Sequence, residues 1–332
     1  MSEIRIITSS DEHLCDQNPG FRKDNYRDSI LKKLEWQGEF AKKFNANVFL
    51  RGGDFFHTKA ANKTSHATVA LSAQIHRNYS CPVYSIIGNH DITYNDCETI
   101  SRQPLGVLFE TNIFRCLNTE IITSKTLKVR VIGISYSSDL TVEKINSICK
   151  KQKDDVYTVA FIHALAAFSP EERIQRFFNE TIFDYRDLVF DGCPDVYVFG
   201  HYHKDQGIQD LHGVKFVNLG AISRGALTFD NLERKPKICS LIFNSRGVSV
   251  EEHIVPHADA SVIFDLEKKT KLEEERKSLD DFIKNLRKNA ELSKSITART
   301  WFDKFDWSQF DSSLKQTAIE ILEAAEAGVL DE

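Results

Sequence analysis

The chain is short of the signals that mark several protein classes. Its seven cysteines (Cys15, Cys81, Cys97, Cys116, Cys149, Cys193 and Cys239) are scattered, odd in number and free of any C-x-x-C pair, so neither a disulfide framework nor a zinc ribbon is signalled. A reducing cytoplasm is the expected compartment. No window is apolar over the ~18 residues that a membrane span requires, and Ile4, Ile6 and Ile7 open a strand pattern with no basic-then-apolar leader before them. A soluble, unexported protein without a membrane partner is expected. Positive charge is not in surplus: 43 Lys and Arg stand against 48 Asp and Glu, a net charge of −5. That balance weighs against a DNA enzyme, because duplex binding draws on phosphate neutralisation by Lys and Arg. Two facts offset it. Metal ligands include acids whose charge the metals neutralise, and basic residues can be local. Arg22, Lys23, Arg27, Lys59 and Lys63 are such local groups, and they read equally well as a solvated rim. No repeat or low-complexity tract occurs.

What is present is ordinary globular composition, 41% hydrophobic and 27% charged, on 332 residues, enough for one large domain plus an appendage or for two domains. Five apolar β-type runs (4–7, 48–50, 83–87, 156–162 and 196–199) each end in a polar cluster. In order these are Asp11-Glu12-His13, Gly53-Asp54-Phe55-Phe56-His57, Gly88-Asn89-His90-Asp91, His163, and Gly200-His201-Tyr202-His203. In open α/β sheets ligands gather outside the carboxyl ends of strands, so groups far apart in sequence converge there. His163 alone would more often be a satisfied core histidine than a ligand; the ordered set reverses that weighting.

The order and spelling of these clusters resemble the calcineurin-like metallophosphoesterase superfamily, whose pattern runs D-x-H, G-D, G-N-H-[DE], H and G-H-x-H. Within it, His57 three residues after Asp54 and the closing Asp91 resemble the SbcD-type DNA repair exonucleases. The resemblance covers roughly the first 250 residues. It implies two facing mixed β-sheets flanked by helices, an α/β fold of α+β type. It also implies two divalent metal ions, with Asp11, His13, Asp54 and His203 on one and Asp54, Asn89, His163 and His201 on the other. Two carboxylates, four imidazoles and one amide suit Mn²⁺ best, with Fe or Zn²⁺ as alternatives, rather than an all-oxygen Ca²⁺ site. The same resemblance assigns His90 to protonate the departing oxygen, Asp91 to fix the His90 tautomer, and His57 to orient the phosphate or the strand being cut. The segment from Gly220 to Gly225 resembles the family's glycine-serine stretch, in which Arg224, with Lys59 nearer the second cluster, is a substrate-binding candidate; the other reading is a plain turn with an exposed arginine. Cys15, Asp16, His66, His76, His212, His253 and His257 match no ligand position and are expected to be structural or exposed.

The spacing predicts helices over 24–44 and 65–77, a strand over 128–134, a helical excursion at 170–179, and β-like runs at 215–219, 237–243 and 248–254 that make the later half a second sheet. The composition changes near Pro256, dividing a catalytic domain, 1–257, from a helical extension, 258–332. Leu279, Phe282, Ile283 and Leu286 form one amphipathic stripe there; Trp301, Phe302, Phe305, Trp307 and Phe310 lead into a second, with Leu314, Ala318, Ile321, Leu322 and Ala325. Two departures from the resemblance stand out. Ala164 follows His163 where the family often has Gly, and the extension is too short for both a DNA-capping domain and full partner-binding helices. The expected function is a two-metal phosphodiesterase cutting DNA, exonuclease or endonuclease, in repair or recombination. An SbcC-type ATPase would dock on the extension, and a homodimer is the expected assembly. The alternative is a small-molecule or cyclic-nucleotide phosphodiesterase or a phosphatase.

Overall fold

The computed structural model describes residues 2–57, 64–170 and 180–271, together with 274, 277, 284, 302, 307 and 315–319. The chain divides into two compact units, Met1–Phe264 and Asp265–Glu332. In the first, β1 (Glu3–Ser9), α1 (Tyr26–Phe44), β2 (Val48–Arg51), α2 (His66–Arg77), β3 (Val83–Ser85), α3 (Pro104–Glu110) and β4 (Arg115–Cys116) wind as successive parallel strands with helical crossovers. There follow β5 (Thr119–Ser124), β6 (Leu127–Ile134), α4 (Val142–Cys149), β7 (Tyr157–His163), the short pair β8 (Ala166–Ala167) and β9 (Phe183–Asp184), and then β10 (Val196–Gly200), β11 (Gly207–Leu211) and β12 (Val214–Asn218). The unit closes with α5 (Phe229–Glu233), β13 (Lys237–Asn244), β14 (Gly247–Ile254) and α6 (Ala260–Ile263). Two six-stranded sheets result, in the orders β14-β13-β1-β2-β3-β4 and β11-β12-β10-β7-β6-β5.

The two sheets face each other across an apolar layer. Ile4, Ile6, Val48 and Leu50 of the first meet Val129, Val131, Val159, Phe161 and Val198 of the second, all nearly or fully buried. The pleat turns Ile7 and Phe49 to the opposite face, where Ile30, Leu31 and Leu34 of α1 and Val69 of α2 cover them. Both faces of the central strands are therefore dry, which is why they read as near-continuous apolar runs. The helices start where local chemistry dictates. Asn25 caps α1 by accepting from Asp28 N at 3.1 Å, and Ser65 caps α2 by accepting from Thr68 N at 3.3 Å. Asn45 ends α1 in the left-handed conformation, with Lys42 and Lys43 in the last turn.

One expectation is corrected. The runs at 237–243 and 248–254 do not extend the later half into a second sheet. As β13 and β14 they return to the first, with β13 antiparallel to β1 from Glu3↔Asn244 to Thr8↔Cys239. The cause is burial: Cys239, Leu241 and Phe243 join the layer between the sheets, and β1 would otherwise present an unpaired edge beside that core. Of the predicted excursion at 170–179 all but Pro170 lies outside the described residues, as do Leu279, Phe282, Ile283, Leu286 and most of the second stripe. In the second unit Phe302 packs on Trp307 with ring centroids 4.6 Å apart, and Ala318 is buried. No helix among the described residues is long and apolar enough to cross a membrane.

Six Lys and Arg side chains are buried among the described residues of the first unit: Arg22, Lys33, Arg51, Arg130, Arg224 and Arg234. Arg22 forks onto Asp24 with two contacts of 2.6 Å, so it is not the solvated rim its position suggests. Lys33 on α1 donates to the carbonyl of Ile222 at 2.8 Å. Burial, then the charges of Arg224, Arg22 and Arg234 with Asp24 opposing, pulls its ammonium down to about 7. An unfolded lysine keeps its proton to its ordinary value of 10.5, so above pH ~7 the unfolded chain binds more protons and stability rises with pH up to about that value. The urea midpoint should therefore climb between about pH 7 and 10, and Lys33→Met should flatten the climb; equal slopes for the two proteins would refute the assignment.

Candidate metal centre

The loops after β1 and β2 run on in parallel beyond the sheet, held by Asp11 N to Gly53 O at 3.2 Å, His13 N to Asp54 O at 2.9 Å and Leu14 N to Phe55 O at 2.8 Å. Four cluster residues take left-handed backbone: Asp11 (φ 57°), His13 (φ 47°), Asp54 (φ 52°) and His201 (φ 84°). Such values are uncommon outside glycine and collect at functional sites, where surrounding contacts hold them. Here they turn the side chains off the strand ends toward a common point. Gly88 is required by the same crowding, since a Cβ there would collide with the Asp54 carboxylate.

Two donor groups form, Asp11–His13–Asp54–His203 and Asp54–His163–His201, with the donor atoms of each within 4.8 Å of one another. Asp54 belongs to both. Its Oδ2 lies 3.6 Å from His13 Nε2 and 3.5 Å from His163 Nε2, while its Oδ1 accepts from His90 N at 2.7 Å. Asn89 Oδ1 lies 3.4 Å from His163 Nε2. Carboxylates, imidazoles and an amide converging at this range are a donor set that fits divalent cations. Asp11 is oriented by His201 N, which reaches both of its oxygens at 3.1 Å, and by Ser10 Oγ at 2.5 Å. His163 is oriented by Gly52 O, 2.6 Å from its Nδ1.

Burial alone would raise both aspartates. The charge and hydrogen bond of His163 instead hold Asp54 well below the carboxylate range, and the hydrogen bond and charge of His203 bring Asp11 to about 2. Burial drives His13 well below the usual imidazole value, Asp54 notwithstanding, so it stands neutral, as a ligand must. Burial would do the same to His163, but Asp54 lifts it to about 9, and a cation at this imidazole would displace a proton. Asp91 is pushed up to about 7 by burial and then by the charge of Asp54.

The other candidates fall as follows. His57 and His90 stack, centroids 4.5 Å apart, and form a third group with His13, whose Nδ1 is 3.2 Å from His57 Nδ1. The Asp91 oxygens accept from Phe56 N at 2.9 Å and Gly88 N at 3.0 Å, lacing the second cluster to the third. Arg224 is buried and donates to the carbonyl of Ala258, so it is neither an exposed turn residue nor turned toward the cluster. Lys59 lies outside the described residues. Ala164 is buried beside Ile162, where its methyl group is accommodated. One acid has no motif to announce it: Glu180 Oε2 lies 2.9 Å from His201 Nε2. Two clefts flank the centre. One of about 540 Å³ reaches His13, His57, His90 and His203; the other, about 410 Å³, reaches His163 and is lined by Tyr136 and Glu180.

Behind the centre lies a polar network that no motif marks. Arg51, the last residue of β2, is fully buried and donates to Glu12 Oε1 at 2.6 Å, Gln37 Oε1 at 3.2 Å and Tyr79 OH at 3.0 Å, with His76 Nε2 at 2.7 Å. Its guanidinium also sits over the rings of Phe49 and Phe55. His76 is thus a buried partner of Arg51, and Glu12, between Asp11 and His13, is the peg that ties the first cluster to the second. Burial raises the Glu12 carboxyl even with Arg51 beside it, which shows how much desolvation the pair must offset. Removing one partner strands the other, so Arg51→Met should cost about 3–5 kcal/mol in urea unfolding; a loss below about 1 kcal/mol would mean the pair is dispensable.

The profile of the calcineurin-like phosphoesterase family matches residues 4–205. A curated relative, the DNA double-strand break repair protein Mre11 of Archaeoglobus fulgidus, is 22% identical over 228 residues, covering 64% of this chain and 49% of that protein. The chain thus spans about half the length of that relative. Among solved structures, a dimetal phosphatase from Danio rerio is similar at TM-score 0.47 and 9% identity, over 77% of this chain and 99% of that one. GAP50, the anchor in the inner membrane complex of Plasmodium, is similar at TM-score 0.45 and 14% identity, over 79% and 91%. With the profile spanning more than half of its length and covering all five clusters, the chain belongs to the calcineurin-like phosphoesterase family.

Proposed function

We propose that the chain is a two-metal phosphodiesterase that hydrolyses DNA, with Mn²⁺ as the working cation. The observation that carries the reading is the shared place of Asp54 in both donor groups, since a carboxylate is the side chain able to bridge two cations at once. Asp11, His13 and His203 would complete one coordination shell, and Asn89, His163 and His201 the other. A pair of divalent cations, when bound, acidifies a water and offsets charge on the phosphoryl oxygens.

The chain's own residues then place and protonate the substrate. His90 would protonate the departing oxygen; its backbone N–H, fixed on Asp54 Oδ1, sets its distance from the centre. His57, stacked on His90, would orient the phosphate. Asp91 would hold His90 in place through the loops it laces together, and Glu180 would orient His201. Clefts on both sides of the centre leave room for a phosphate with two substituents, which favours a diester over a monoester. The likeness to Mre11 supports DNA as the substrate; docking of an SbcC-type ATPase on residues 258–332 and a homodimeric assembly follow from the resemblance to the SbcD-type exonucleases. The acidic balance, −5, favours a second reading, hydrolysis of a small-molecule phosphodiester.

The manganese-loaded protein should cleave linear duplex or single-stranded DNA and bis-p-nitrophenyl phosphate but spare p-nitrophenyl phosphate. His90→Ala should lower kcat by roughly a hundredfold to ten-thousandfold, and Asp54→Ala should abolish turnover. Cleavage of the monoester alone would remove the nuclease reading; full activity in Asp54→Ala would remove the mechanism. Deleting the residues after about 260 should end co-purification with the ATPase and spare diesterase activity, and retained binding would refute the docking assignment.

A further inference from the structure

The larger cleft has a composition of its own. Beyond the four imidazoles at its floor, its walls are Pro19, Phe21, Tyr26 and Leu227, with the amides of Gln17 and Asn231 beside them. Among the described residues no lysine, arginine or carboxylate lines it. The cations nearby are turned away and occupied by backbone carbonyls: Arg22 Nη1 donates to Arg224 O at 2.7 Å, Lys33 to Ile222 O at 2.8 Å, Arg234 Nη2 to Ser223 O at 2.8 Å, and Arg224 to Ala258 O. A cleft beside the candidate metal centre, with no charged side chain along its walls among the described residues, is not built for a second phosphate. It is built for the neutral part of a nucleotide.

The wall is also preformed. Asn18 Oδ1 accepts from Tyr26 N at 3.0 Å, and Asn18 Nδ2 donates to Arg22 O at 3.3 Å and to Asp24 O at 2.5 Å. Arg22 N closes a turn on Pro19 O at 2.9 Å, and Lys23 N bonds Ile263 O at 3.0 Å. Phe21, at the centre of that segment, packs against the buried cluster of Leu227, Ile263 and Phe264, so its ring is supported from behind. A flat, neutral heterocycle with hydrogen-bonding edges matches such a surface, because base–aromatic stacking is indifferent to sequence and the amides can meet the base edge. A volume of about 540 Å³ accommodates one nucleoside.

We propose that this cleft receives one unstacked nucleobase of the nucleotide adjoining the scissile phosphate, with Phe21 as its stacking surface; the proposal rests on the reading of the chain as a nucleic-acid phosphodiesterase. A duplex end would fray by that one nucleotide to enter, at a cost smallest for single-stranded or mismatched ends.

The test is equilibrium binding of a short single-stranded oligonucleotide with phosphorothioate linkages to the manganese-loaded full chain, by calorimetry, against the same oligonucleotide with abasic sugars. Wild type should bind the base-bearing ligand roughly tenfold or more tightly. Phe21→Leu, which keeps the apolar contact with Leu227 but lacks a π-face, should erase most of that preference while leaving affinity for the abasic ligand in place. Phe21→Trp should preserve it, with indole emission that responds to the base-bearing ligand only. Equal or undetectable binding of both ligands by wild type would overturn the proposal, as would a Phe21→Leu variant that weakens both alike. Failure of the parent reading registers separately, as no cleavage of the unmodified oligonucleotide while the base preference persists; that result leaves the cleft a nucleobase site.

Discussion

The constraint that organises this protein is the burial of four carboxyl groups, Asp11, Glu12, Asp54 and Asp91, at the rim of two packed sheets. A carboxylate stripped of water costs several kcal/mol unless its lone pairs and its charge are met. Each of the four is met differently. Asp11 takes the backbone N–H of His201, Glu12 takes the guanidinium of Arg51, and Asp91 takes the N–H groups of Phe56 and Gly88. Asp54 has the N–H of His90 and otherwise faces imidazoles on two sides, an arrangement that cations ligated by the same imidazoles would complete. The left-handed backbone at three of the donor positions on β1, β2 and their loops follows from the same demand: the side chains must leave the strand axis to reach the shared point, and the hydrogen bonds between loops hold them there.

Much of this was legible in the residues. The five apolar runs are strands because both of their faces are buried, and a run without polar alternation is the mark of such a strand. The clusters at their ends converge because β1, β2 and β3 are parallel in one sheet, β7 and β10 parallel in the other. The helical spacing over 24–44 and 65–77 marks the faces that α1 and α2 bury. What escaped is what depends on partners distant in sequence. The β-like runs at 237–254 carry no mark of which sheet they join; that choice is made by the open edge of β1 and the apolar layer behind it.

The same holds around the centre. Glu12 sits inside a motif yet has no motif role, and Arg51 precedes a glycine pair that draws the eye past it. Arg51, paired with Glu12, meets Gln37, His76 and Tyr79 only because α1 and α2 cover the same face of the first sheet. A histidine without a motif, His76, is thereby structural for a reason that only packing reveals. Arg224 resembles a phosphate ligand by its place after glycine, alanine and serine, yet its guanidinium is drawn to the carbonyl of Ala258, and the surface it leaves beside the centre is neutral. Glu180 belongs to none of the motifs or apolar runs, so periodicity had nothing to detect in its contact with His201.

The pairing of Glu3 with Asn244 has a consequence for the order in which a ribosome delivers this molecule. β1 waits for a strand made more than two hundred residues later, and the last donors, His201 and His203, emerge shortly before it. At a typical elongation rate of ~5–20 residues per second, the nascent chain spends roughly ten seconds or more with β1 exposed on one side and its ligand set incomplete. The candidate ligand set is therefore incomplete until His203 has been made, and during that interval the uncovered edge of β1 is the site most open to mispairing with a neighbouring chain.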